Sequence, residues 1–176
     1  SEYVDTPTVL ANLAAKYSGR HGITNGTHEK ASWAHELYIQ NCEVAFVGNR
    51  YLGDGIENYG TCDGYYITDC YVHDCVDDCI TSQCSTDAEK GEPGCEMNNV
   101  IITGNVLTDT DNGIELWNFT RAKTSEEEYK GMEFCTALTH NVDISGNYFV
   151  YVNWDCMLNN NNWMIWRANE TDAQAW

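Results

Sequence analysis

The chain has 176 residues, with 27 Asp and Glu against 9 Lys and Arg and a formal net charge of -18. That balance excludes nucleic acid and anionic membrane as expected partners, because surfaces that hold phosphate need clustered Lys and Arg. Hydrophobic residues at 43% and aromatics at 12% are enough for a buried core and too many for an acidic disordered tail.

In chain order, residues 6–17 (TPTVLANLAAKY) predict a short N-terminal helix, with Thr6 as cap and Pro7 at its first position. HGITNG from His21 and HELYIQNC from His35 read as early strands. Four segments then align with one another, starting at Cys42, Gly64, Asn99 and Asn141. Each is a short alternating strand, a turn at Gly-Asn or Asp-Cys, and a second short strand, with a period of about 20 to 25 residues once two insertions are removed. The insertions, about residues 85–98 and 119–139, are polar and fall at the same place in successive repeats, as solenoid loops do. The 18 Asn and 14 Gly suit such turns, since both residue types tolerate the left-handed conformation.

The recurring Val-x-Ile-x-Gly-Asn at Val100 to Asn105 and Val142 to Asn147, with Gly-Ile-x-Leu at Gly113 to Leu116, resembles the repeat of the pectate lyase-like parallel β-helix superfamily. The resemblance covers about residues 20–165 and implies an all-β, right-handed parallel β-helix solenoid. Residues 1–176 then form a single domain of five or six coils. So few coils make it a fragment of a longer solenoid, with the rest of that chain as a partner. Nine Cys are many for a cytosolic domain and point to a secreted or cell-surface protein. A bridge Cys84–Cys95, across the first insertion, or Cys95–Cys135, joining the two, is the pairing the insertions suggest.

Stacked strands lie about 4.8 Å apart, so each position forms a ladder along the solenoid. Aligning the second strands gives an inward ladder of Leu37, Ile56, Ile80, Ile114 and Cys156. The outward ladders are then Tyr38, Glu57, Thr81, Glu115, Met157 and Gln40, Tyr59, Gln83, Trp117, Asn159. Aromatic rings beside amides and carboxylates suit sugars, so Tyr38, Gln40, Tyr59, Gln83, Trp117 and Asn159 are the expected polysaccharide contacts.

Glu57 and Glu115, two coils apart and so about 9.6 Å between backbones, have the spacing of an acid and base flanking a water. Asp54 and Asp78 occupy equivalent positions one coil apart, with Asp77 and His73 nearby as further catalytic candidates. Asp77-Asp78-Cys79-Ile80 resembles the Asp-Asp-Cys-Ile segment of polygalacturonase-type glycoside hydrolases, which implies acid and base roles for the aspartates. That family's Gly-His-Gly has no counterpart after Cys84, and its uronate-binding Arg-Ile-Lys falls on Ile114-Glu115-Leu116. A polyuronate would then need a bridging cation, as in pectate lyases, and Ca²⁺ on Asp54 and Asp78 is the one cofactor the pattern suits. His21, His28, His35 and His140 show no metal-like spacing, and no zinc is expected. The expected function is to bind and cleave a polysaccharide, as glycoside hydrolase or lyase. The alternative is a non-catalytic β-helix module for glycan binding or adhesion.

Overall fold

A computed structural model describes residues 6–26, 32–50, 52–87, 96–121 and 138–160. Every strand pairing among them is parallel, and the described residues contain no helix. The strands are β1 (Thr8–Ala11), β2 (Ala14–Lys16), β3 (Ile23–Asn25), β4 (Ser32–Ala34), β5 (Leu37–Gln40), β6 (Glu43–Val47) and β7 (Ile56–Thr68). They continue as β8 (Tyr71–Cys75), β9 (Asp78–Asp87), β10 (Glu96–Thr103), β11 (Val106–Arg121), β12 (Leu138–Ser145) and β13 (Tyr148–Asn160).

The sheet curls as a solenoid does, each stretch of chain pairing with the next one about a coil later. Three rows of strands recur. One runs β1, β5, the end of β7, β10 and β12. The next runs β2, β6, β8 and the first parts of β11 and β13. The last runs β3, the start of β7, β9 and the later parts of β11 and β13.

The rows meet at corners where the backbone turns left-handed. Positive φ recurs at Asn12, Asn41, Asp69, Gly104 and Gly146, which register stacks on one another. A second series is Tyr17, Phe46, Asp74, Asp109 and Tyr151. Asn and Gly hold four of the five places in the first series and none in the second; these residues enter that region at least cost. After the first corner the chain dips inward at Asn105, whose Oδ1 accepts from the Cys70 amide at 2.8 Å and whose Nδ2 donates to Ile67 O at 3.0 Å. The Gly-Asn of the repeat is thus a left-handed turn followed by a buried amide that caps the neighbouring coil.

The core holds Leu37, Ile39, Val44, Ile56, Tyr65, Ile67, Val72, Ile80, Ile102, Leu107 and Ile114. Each aliphatic side chain so buried is worth about 1.5–3 kcal/mol of transfer energy, which is what holds stacked coils together.

Three expectations are corrected. Residues 6–17 do not form a helix: Thr8–Ala11 and Ala14–Lys16 are strands paired with β5 and β6. The rows they extend offer a full set of backbone partners, and Leu10, Leu13 and Ala15 pack on the core, which overrides local helix propensity. Second, the strand preceding Ile56–Asn58 in its row is β3, not Leu37–Gln40. Tyr38 and Gln40 instead lie beside Tyr66 and Thr68 in another row, and the Tyr38 and Tyr66 rings stack at 4.5 Å. Third, the register of β11 with β13 shifts between Thr110 and Asn112, so Ile114 pairs with Met157 rather than Cys156, and Asn159 lies beside Leu116 rather than Trp117. A one-residue bulge moves every later side chain by one place. Among the cysteines, Cys42 and Cys70 are neighbours, and Cys62 lies in another row beside Met97. The suggested Cys84, Cys95 and Cys135 bridges lie outside the described side chains.

Candidate functional site

The last row of strands builds the site. Leading into β7 the chain runs Asp54, Gly55, Ile56, Glu57, and β9 opens Asp78, Cys79, Ile80, Thr81. Gly55 and Cys79 face the interior, where a Cβ at Gly55 would meet Val72 and where Cys79 Sγ donates to Val72 O. Ile56 and Ile80 also lie in the core, so the chain bends at the two inward residues. That bend leaves the flanking acids on the other side, converging on each other. Two ladders result. One carries His21, Asp54, Asp78 and Asn112, and the other Thr24, Glu57, Thr81 and Glu115.

The carboxylates expected to act together are brought together. The Asp78 amide donates to Asp54 Oδ1 at 3.3 Å, and the Gly55 amide to Asp78 O at 2.8 Å, so Asp54 and Asp78 are equivalent positions of adjacent coils. Glu57 and Glu115 are two steps apart on one ladder, with Thr81 between them. Asp78 and Glu115 are near enough for their side chains to hydrogen-bond, which needs one proton between them. Although these acids sit opposite the apolar core, they are buried: Glu57 and Asp78 are 2% exposed and Glu115 9%.

Burial at this density raises proton affinity. Desolvation, reinforced by the charges of Glu115 and Asp54, pushes the Asp78 carboxyl up to about 10. The half-buried Asp77 is pushed up to about 6 by desolvation and then by Asp54 and Glu115. Glu57 is raised by desolvation, against the opposing pull of His21.

His21 is the residue that sequence reasoning missed. Its Nδ1 lies 3.1 Å from Asp54 Oδ2 and 3.3 Å from Glu57 Oε2, and the hydrogen bond to Asp54 holds the imidazole above its usual range. The signal was HGIT matching DGIE and DCIT with His in the first Asp position; assigning the preceding strand to Leu37–Gln40 concealed it. His73 is not part of the site. It lies on β8, with Nδ1 2.7 Å from Asp74 Oδ2 and Nε2 3.1 Å from Glu43 Oε1.

Two sets of donors are close enough to hold a cation. One oxygen or nitrogen from each of His21, Asp54 and Glu57 lies within 4.8 Å of the others, and so do single oxygens of Asp54, Asp77 and Asp78. Among the expected sugar contacts, Tyr59, Gln83 and Trp117 share one ladder two residues beyond the acids. Tyr38 and Gln40 lie in another row, and the side chains of Trp117 and Asn159 are outside those described. No family model matches the chain, and no curated protein or solved structure matches it either.

Proposed function

We propose that the chain is a carbohydrate-active protein of the right-handed parallel β-helix type, which binds a polysaccharide and cleaves it by acid–base chemistry as a hydrolase or lyase. The observation that carries this reading is the seam of Asp54, Glu57, Asp77, Asp78 and Glu115, contributed by three successive coils and closed at one end by His21. Carboxyls in one site that differ in proton affinity divide into donor and acceptor. Asp78 and Glu115, sharing a proton, are the general acid, and Asp54 or Asp77 is the base. Tyr59, Gln83 and Trp117, on one ladder two residues beyond the acids, are the sugar platform of this reading. Ca²⁺ on the Asp54 and Asp78 side would bridge an acidic glycan that the net charge otherwise repels. Such a substrate places the protein outside the cell, secreted or at the surface, as part of a longer solenoid.

The test is reducing-end release, and absorbance of unsaturated uronide, on a panel of plant and algal glycans with and without CaCl₂. Activity should fall at least about a hundredfold in Glu115→Gln and Asp78→Asn, the range usual for loss of general acid–base catalysis. Activity unchanged in both variants would remove these residues from the mechanism. The burial of Glu57, Asp78 and Glu115 supports a second reading, a non-catalytic glycan-binding module in which the seam is structural. Affinity electrophoresis showing retention on a glycan that is never cleaved would select it.

A further inference from the structure

The acidic seam takes donors from the Thr24 hydroxyl, to Glu57 Oε2 at 3.0 Å, and from the Asp78 amide, to Asp54 Oδ1 at 3.3 Å. Four carboxyls, from Asp54, Glu57, Asp77 and Asp78, meet one imidazole. Oxygens of Asp54 and Glu57 face His21 Nδ1 at 3.1 and 3.3 Å. Without an ion the proton on Nδ1 answers these oxygens, and a cation that displaces it would take the same nitrogen as a ligand.

A second observation is independent of these distances. Asp78 is buried, and its Oδ1 has no hydrogen-bond partner among the described residues. Asn112, its neighbour on the same ladder, likewise has a buried Oδ1 without one. A buried oxygen with no donor costs about 1–3 kcal/mol, more when charged, and a cation supplies what the missing donors do not.

From this geometry we infer that His21, Asp54, Glu57, Asp77 and Asp78 form a divalent metal centre in which Asp54 is shared by two adjoining donor sets. The set with His21 and Glu57 is mixed nitrogen and oxygen, and the set with Asp77 and Asp78 is oxygen only. Imidazole with carboxylates suits a first-row transition ion, and the predominance of hard oxygen favours Mn²⁺ among them. This differs from a calcium bridge, which would use the aspartates and leave His21 idle. Glu115 belongs to neither set. The inference does not depend on the glycan reading, and it competes with it at Asp54, Asp77 and Asp78, which cannot both ligate an ion and exchange protons with a sugar.

The experiment uses the full chain after chelator treatment, titrated with MnCl₂ while electron paramagnetic resonance follows free Mn²⁺, with ZnCl₂ and CaCl₂ as parallel arms. Uptake of at least one Mn²⁺ per chain is expected, with pulsed spectra showing nitrogen coupling from a bound histidine. His21→Ala should raise the Mn²⁺ Kd tenfold or more and abolish that coupling, while His73→Ala, in a separate cluster, leaves both unchanged. Circular dichroism checks the fold, and if His21→Ala does not fold, the nitrogen coupling of the unmodified chain decides alone. No Mn²⁺ uptake, uptake without nitrogen coupling, Ca²⁺ binding tighter than Mn²⁺, or His21→Ala binding as well as the parent would each overturn the centre.

Discussion

His21 and Asp54, 33 residues apart in sequence, meet with Nδ1 3.1 Å from Oδ2, the Gly22 amide donating to Asp54 O at 3.0 Å beside them. One contact joins the first described coil to the second and also places the imidazole against the buried acids. Its loss should therefore be felt as stability. His21→Ala leaves Asp54 and Glu57 buried without their partner, a change that costs about 3 kcal/mol in comparable buried pairs. Urea unfolding at pH 6 should show that loss, and at pH 4, where Glu57 with its raised proton affinity takes up a proton and no longer pairs as an anion, the difference from the parent should shrink.

The seam also sets the direction of the pH dependence. His21, Glu57, Asp77 and Asp78 all hold protons more tightly when folded than their ordinary values of about 6.5, 4.3 and, for Asp, 3.9. A group raised on folding contributes fully below its unfolded value and loses that contribution as pH rises through the folded one. Asp77 therefore loses its share between about 4 and about 6, and Asp78 between about 4 and about 10. Chelator-treated protein should melt at a higher temperature at pH 5 than at pH 9. A melting temperature that rises across that range would contradict this assignment of the buried acids.

Gly55 lets the acids converge. A Cβ there would collide with Val72 and the Cys79 carbonyl, neither of which is a flexible chain end. Gly55→Ala should cost about 1–3 kcal/mol by overpacking and displace Asp54 and Glu57 with it. Gly19, where an added Cβ would meet no atom within 4 Å, is the control, and Gly19→Ala should leave the unfolding midpoint nearly unchanged. Equal midpoints for the two variants would sink the role given to the bend.

Asn105 tests the corner. It is fully buried, accepts from the Cys70 amide, and donates to Ile67 O and to Asn147 Oδ1 at 2.9 Å. Asn105→Leu fits the volume but strands these groups, at about 1–3 kcal/mol for each one left buried without a partner. Denaturant unfolding should show a lower midpoint, whereas Asn153→Ala, whose one bond to Asp111 is exposed, should change little.

The repeat, the parallel all-β architecture and the acids were legible in the residues themselves. Asp54 and Asp78 could be equated because each precedes a small inward residue and then an isoleucine, a pattern strict enough to survive without a structure. The Ile56, Ile80 and Ile114 ladder was legible for the same reason, since a period of two with one buried face tolerates no slip. The β1 and β2 strands were not, because a short segment rich in Ala and Leu is written alike for helix and strand.

Residue order alone was enough to make this chain a repeating, strand-built, strongly acidic protein with carboxylates at equivalent places of some of its coils. Which strand stacks on which was settled only in the folded chain, and that choice removed Tyr38, Gln40 and His73 from the site and brought His21 into it. The physical reason is that coils of unequal length carry the same local pattern, so residue spacing leaves the register open. It is closed by the summed backbone pairing and core packing of all coils together, which no single segment contains.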